Sequence, residues 1–243
     1  MNKLTLINLV YFGLVIVSQA CYIDLDHDRF GCKNADGPRT TETFDLPPFD
    51  RITNSIGANI VIRQDNQREL TITTQRSVLD NITTRIVDGE LIIDNRYCFR
   101  NSDIDIFISN PEIAAVHNIG SGDIYGDNTW NAPLLELKIT GSGTIDAKFE
   151  SDQLFTEITG SGNLRLFGVA NQSTVKISGS GNVAAFNLDC NHQNINISGS
   201  GNCEVIANDV LEVKISGSGN VFYKGSPSVS SDISGSGGVF KAN

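Results

Sequence analysis

Ile177-Ser178-Gly179-Ser180-Gly181-Asn182-Val183 and Ile197-Ser198-Gly199-Ser200-Gly201-Asn202-Cys203 are two copies of one pattern. Gly-Ser-Gly recurs at 120–122, 141–143, 160–162, 179–181, 199–201, 217–219 and 235–237, with starts separated by 21, 19, 19, 20, 18 and 18 residues. A period near 20 with glycine confined to fixed places is the mark of a repeat architecture, not of a flexible linker. Two residues before the triplet stand Ile139, Ile158, Ile177, Ile197, Ile215 and Ile233. Two after it stand Ile124, Ile145, Leu164, Val183, Cys203, Val221 and Val239. A strand therefore enters each triplet and another leaves it, each turning alternate side chains one way. One such coil cannot bury its apolar row against itself, whereas stacked coils can. The expected fold is all-β, a parallel β-solenoid over residues 116–243.

Each triplet is the corner of a coil, where glycine admits backbone angles closed to other residues and lets neighbouring coils approach. Asn163, Asn182, Asn202 and Asn220 follow four consecutive triplets and suit a stacked amide ladder. Three residues before the triplets are Lys138, Glu157, Lys176, Asn196, Lys214 and Asp232, an outward row whose alternating charges suit pairing between coils.

Upstream, residues 44–115 alternate with period two, as in Asn59-Ile60-Val61-Ile62 and Asp103-Ile104-Asp105-Ile106-Phe107-Ile108, so they form an N-terminal β-rich region that continues into the solenoid or caps it. Asp88-Gly89 signals a hairpin, and only residues 75–81 suit a helical turn. Residues 21–43 are polar and read as a tether. Residues 1–20 read as a signal peptide: Lys3, an uncharged run from Leu4 to Val17, then Ser18-Gln19-Ala20 before Cys21. That run is too short to cross a bilayer as a helix. Cys21 at the first mature position would carry the lipid of an envelope lipoprotein, although Ser18 stands where such signals usually have Leu.

The chain carries 18 Lys and Arg against 28 Asp and Glu, a net charge of −10. Loss of residues 1–20 removes one lysine and no acid, giving 17 − 28 = −11. Such a chain has no basic stripe for nucleic acid and no electrostatic attraction to anionic lipid. Any membrane association runs through the Cys21 anchor alone. The five cysteines are odd in number. With Cys21 lipidated, Cys32–Cys98 and Cys190–Cys203 are the simplest bridges. Without lipid, Cys21–Cys32 competes; in either case the alternative is that Cys203 stays a free thiol, because its repeat position is held elsewhere by Ile, Leu or Val.

From Phe44 to Asn243 the chain resembles the putative auto-transporter adhesin head GIN domain family of bacterial envelopes. The resemblance is carried by Phe49-Asp50-Arg51-Ile52, Ile60-Val61-Ile62-Arg63-Gln64, Val87-Asp88-Gly89-Glu90-Leu91-Ile92-Ile93, Pro111 after a strand, and the Gly-Ser-Gly array. It implies a right-handed parallel β-helix, export, frequent lipid anchoring at the outer membrane and adhesion, and it brings no functional residues with it.

No residues are expected to be catalytic, to hold a cofactor or to bind a metal. Gly-Ser-Gly is not the Gly-x-Ser-x-Gly elbow, and no helix follows the glycines to make a phosphate loop. Asp24, Asp26 and Asp28 open like a calcium loop, but Arg29 stands where Gly is needed. His27, His117 and His192 are scattered as surface histidines would be. Asp146 and Arg165, in neighbouring coils, read as a salt bridge. Phe167, Phe186 and Ile206 fall at equivalent places in three coils, as do Phe222 and Phe240 in two. The first three form a candidate contact stripe for an unidentified protein or glycan. The last coil shows no cap in the sequence, so either copies associate end to end or a cap comes from elsewhere in the fold. The rival function is a carbohydrate-active β-helix enzyme, which needs a groove of converging charges. An ice-binding solenoid would need an outward array of Thr, which the sequence does not line up.

Overall fold

The computed structural model describes residues 31–243, and Cys32–Asn243 forms one compact unit. It is β throughout, apart from one four-residue helix. In chain order the elements are β1 Lys33–Asn34, β2 Arg39–Phe44, β3 Arg51–Asn54, β4 Asn59–Gln64, β5 Glu69–Gln75, α1 Arg76–Leu79, β6 Ile82–Val87, β7 Glu90–Asn95, β8 Phe99–Arg100, β9 Asp105–Asn110 and β10 Ala115–Asn118. Then come the repeating coils, in which a single long strand bends round a corner: β11 Ile124–Gly141, β12 Thr144–Gly160, β13 Asn163–Gly179 and β14 Asn182–Gly199. The series ends with β15 Asn202–Ile206, β16 Val210–Gly217, β17 Asn220–Lys224, β18 Ser228–Gly235 and β19 Gly238–Lys241.

Every repeat pairs in parallel with the next, and each triplet meets its counterpart: Gly141 with Gly160, Gly160 with Gly179, Gly179 with Gly199, Gly199 with Gly217, and Gly217 with Gly235. A coil has two arms. In β12 the first arm buries Ile145, Ala147 and Phe149, and the second buries Leu154, Thr156 and Ile158. Most of these places recur from coil to coil as aliphatic columns, although the Leu154 place holds buried Ser173 and Gln193 in the next two coils and the Phe149 place holds Gly168 in the next. The corners explain the glycines. Gly179 has φ +125°, and a Cβ on it would stand 2.4 Å from the carbonyl oxygen of Gly160. No side chain fits there, because the coils approach backbone to backbone.

The first coils are threaded out of chain order. Strand β3 lies between β7 and β10, and β4 lies between β9 and β11, all in parallel. Residues 51–64 therefore form a coil inserted between the one built from β7 and β9 and the one built from β10 and the start of β11. Residues 111–114 step over it, and the Ala114 N–H donates to the Asp50 carbonyl at 2.7 Å. In this inserted coil Ile56-Gly57-Ala58 takes the corner held elsewhere by Gly-Ser-Gly, with Ile56 and Ala58 buried. Asn54 and Asn118 stand in the column later held by isoleucine. Asn54 Nδ2 donates to Asn118 Oδ1 at 2.9 Å, and Asn118 Nδ2 donates to the Gly122 carbonyl at 2.6 Å, so the buried amides are satisfied.

Beyond β9 the parallel array stops. Strand β5 pairs antiparallel with β9, β2 pairs antiparallel with β5, and β6 pairs antiparallel with β7. The turn between β6 and β7 is Asp88-Gly89, at φ 50° and 78°, as the dipeptide predicts. Helix α1 buries Val78 and Leu79 against this end. The stretch expected as a tether thus contributes to the cap from Lys33 onward, because alternate β2 residues such as Thr41 and Thr43 pair with the threonines of β5. At the other end, β18 is exposed along its whole length. Ile233 there is 39% exposed, whereas Ile215, one coil earlier, is 1% exposed.

Candidate functional site

Because the coils are in phase, outward side chains form columns just as inward ones do. On the second arm one column reads His117, Lys138, Glu157, Lys176, Asn196, Lys214 and Asp232, in the register the spacing predicts. The lysines do not simply alternate with Glu157. Lys138 Nζ lies 2.9 Å from Glu136, and the ammonium groups of Lys138 and Lys176 lie 5.4 and 5.0 Å from the centre of the Phe155 ring. Glu136 also meets His117 Nε2 at 2.6 Å. Burial pushes the Glu136 carboxyl upward, but hydrogen bonds from Lys138 and His117 outweigh it and hold the group below the usual carboxylate range.

On the first arm the amide ladder is present. Asn182 donates to Asn163 Oδ1 at 3.2 Å, Asn202 to Asn182 Oδ1 at 3.3 Å, and Asn220 to Asn202 Oδ1 at 3.1 Å. Beside it runs a column led by Phe107, Val61 and Tyr125, continuing into Asp146, Arg165, Ala184, Glu204, Phe222 and Phe240. Asp146 and Arg165 meet at 3.8 Å, across neighbouring coils. Phe222 and Phe240 stack with ring centres 5.6 Å apart. Tyr125 is 40% exposed, and its hydroxyl donates to Asp123 at 3.3 Å. A hollow of about 260 Å³ beside Phe107 is lined by Asn59, Val61, Thr71, Thr73, Asp105 and Phe107.

Phe167, Phe186 and Ile206 are half-buried at the far corner of this arm. They are not one straight column: Phe167 pairs with Asn187, because a bulge in β14 makes Phe186 an extra residue. Lys224 covers Phe186, with its ammonium 4.8 Å from the ring centre. The sequence shows the aromatic spacing but not the bulge, since coils of 19 and 20 residues differ by one place without saying where.

Cys32 and Cys98 are joined by a disulfide spanning 66 residues, beside the short β1–β8 pair. Cys190 and Cys203 are free and buried, so the bridge expected between them is absent. The register gives the reason: Cys190 pairs with Ala170 at the end of one arm, whereas Cys203 pairs with Val183 and Val221 at the start of the same arm in the next coil. Burial pushes the Cys190 thiol up to about 11 and raises that of Cys203 as well, which makes both poor nucleophiles. His192 lies 3.7 Å from Asp209 on the surface. Cys21, Asp24, Asp26, His27 and Asp28 fall outside the described residues. Among the described residues no three His, Cys, Asp or Glu side chains gather as a metal site would require, and no helix is long and apolar enough to cross a membrane.

The geometry now has relatives to set it against. The family described as "Putative auto-transporter adhesin, head GIN domain" matches residues 48–227. The chain belongs to this family. The matched span holds the inserted coil, the hairpin and most of the triplets, so the head GIN domain is the solenoid together with its threaded start. A "putative adhesin" from Bacteroides fragilis shares the fold with a TM-score of 0.80 at 23% identity, over 86% of this chain and 99% of that one. A "putative lipid binding protein" from Parabacteroides distasonis gives 0.76 at 23% identity, over 88% and 100%. A "putative adhesin" from Parabacteroides merdae gives 0.68 at 19% identity, over 86% and 98%. No curated protein matches the sequence. This head GIN domain is an adhesin-like β-solenoid of the cell envelope. Its charged side chains are spread along columns: Asp146 and Arg165 pair within one, whereas His117 and Lys138 turn to Glu136 in the next.

Proposed function

We propose that this chain is an exported protein that binds surface molecules through the outward face of its first arm, held at the outer membrane by a lipid on Cys21. The observation that carries the reading is the column order of that face: aromatic side chains toward both ends, the Asp146–Arg165 pair between them and an Asn ladder alongside, all held in phase by the register. A surface built this way meets an extended partner at several points along one line, each weak alone. Phe167, Phe186 and Ile206 extend the face at its corner.

Beads coated with the purified chain test it. They are expected to adhere to intact cells or extracellular matrix more than beads coated with an unrelated solenoid, and to lose part of that adhesion with Phe186→Ser at unchanged melting temperature. Adhesion no better than the control would end the reading. For the anchor, metabolic labelling with a fatty acid is expected to mark the wild type and not Cys21→Ala; equal labelling of both would remove it. The exposed Val229, Ile233 and Phe240 of the last coil support contact with a second copy there. Sedimentation velocity showing only monomer at high concentration would count against that contact.

A further inference from the structure

We infer that the Phe107–Val61–Tyr125 column binds a neutral β-1,4-linked polysaccharide lying along the stack of coils, with Phe107 and Tyr125 stacking on alternate sugar rings. This rests on the adhesin reading above and names its ligand class.

The register sets the spacing. Phe107 pairs with Val61, and Val61 pairs with Tyr125, so the two aromatics are two strands apart on one face. Two strand separations come to about 9.6 Å, close to the roughly 10 Å over which a β-1,4-linked chain repeats. In such a chain each ring is turned by half a revolution from the last, so alternate rings present the same apolar face. Aromatic side chains two strands apart can each take one of those faces, with Val61 under the ring between. An α-1,4-linked chain curves and cannot keep this phase.

The neighbouring groups fit the same ligand. The hollow beside Phe107 is walled by Thr71, Thr73, Asn59 and Asp105, which offer hydroxyl, amide and carboxylate partners to equatorial sugar hydroxyls. Asp123, in the same polar column as Asn59 and Asp105, holds the Tyr125 hydroxyl and thereby fixes the ring. Charge selects against anionic chains. Arg39 Nη2 is held by Asp105 at 2.6 Å and its Nη1 by Asp103. Arg63 Nε is held by Asp127 at 2.7 Å, and Arg165 by Asp146 at 3.8 Å. The guanidiniums of this face are thus committed to carboxylates, and the whole chain carries a charge of −10. Lys148 is exposed on the same arm outside these pairs, but the carboxylates around the two aromatics, Asp105, Asp123 and Asp146, and the net negative charge repel a uronate or sulfated chain more than a neutral one.

Calorimetric titration of the purified chain with β-1,4-linked glucose oligomers of two to six units tests the assignment. Affinity is expected to rise about tenfold between two and three sugars, where the second aromatic is first engaged, and the α-1,4-linked hexamer is expected not to bind. Tyr125→Ala should weaken hexamer binding at least tenfold with the circular dichroism spectrum unchanged, and Tyr125→Phe should stay within about twofold of the wild type. No binding of the β-1,4-linked hexamer at millimolar concentration, equal binding of the α-linked hexamer, or an unaffected Tyr125→Ala would each overturn the assignment. The bead assay separates the two readings: beads that adhere equally well with Tyr125→Ala leave the adhesin reading standing and remove this ligand, whereas wild-type beads that do not adhere at all remove the adhesin reading itself.

Discussion

At the scale of the residue, the corner glycines do two jobs at once. Gly179 adopts φ +125°, which L side chains rarely reach, and it faces the Gly160 carbonyl so closely that a Cβ would stand 2.4 Å from the oxygen. Gly179→Ala is therefore expected to destabilise the protein by on the order of 3 kcal/mol, backbone strain and overpacking adding together. Denaturant unfolding would show it as a lower midpoint at unchanged slope. A loss below about 0.5 kcal/mol, the size of an ordinary surface substitution, would mean that the corners are looser than their geometry. This much is legible in the sequence, because only a backbone requirement puts glycine at both sides of Ser in seven places. The serine itself is a different matter: exposed or half-exposed between its glycines, it is dictated by no packing contact.

At the scale of the element, what was legible follows from whether like meets like. The columns of β11 to β19 repeat one motif in phase, so the motif predicts the register, down to the amide ladder of Asn163, Asn182, Asn202 and Asn220. The order of β3, β4, β7 and β9 could not be read, because nothing in Ile56-Gly57-Ala58 matches Gly-Ser-Gly and the chain visits these coils out of spatial sequence. The candidate face hides in the same place: Phe107 and Tyr125 are neighbours but one only once β4 is threaded between them. The join between β10 and β11 is electrostatic as well as apolar, through Glu136, His117 and Lys138. Because the folded protein holds the Glu136 carboxyl below its usual range, this contribution is present above that range and fades as pH falls through and below it. The wild type is expected to exceed Glu136→Gln in stability at neutral pH and to converge with it in acid, below roughly pH 4. Two parallel curves of stability against pH would show that the carboxylate charge does not matter to this join.

At the scale of the whole molecule, the coils are units that cannot stand alone but are nearly interchangeable. Each contributes one layer to the same inward columns and pairs only with the layers on either side, so stability belongs to the array. Removing residues 202–219 joins Gly201 to Asn220 and deletes one complete coil. Val183 would then meet Val221 where it now meets Cys203, Ile197 would meet Ile233 where it now meets Ile215, and the Asn ladder would close over the gap. This shortened chain is expected to fold and to melt in a single transition at a lower temperature. Removing only residues 202–210 is a different operation, since nine residues is an odd number and a shift of one place turns every inward side chain of a strand outward. That chain is expected not to form the C-terminal coils at all, losing β signal in circular dichroism and gaining protease sensitivity after Gly201. If the full-coil and half-coil deletions were equally tolerated, side chains would not be held in columns, and a face defined by residues from successive coils would have no fixed spacing with which to recognise a polymer.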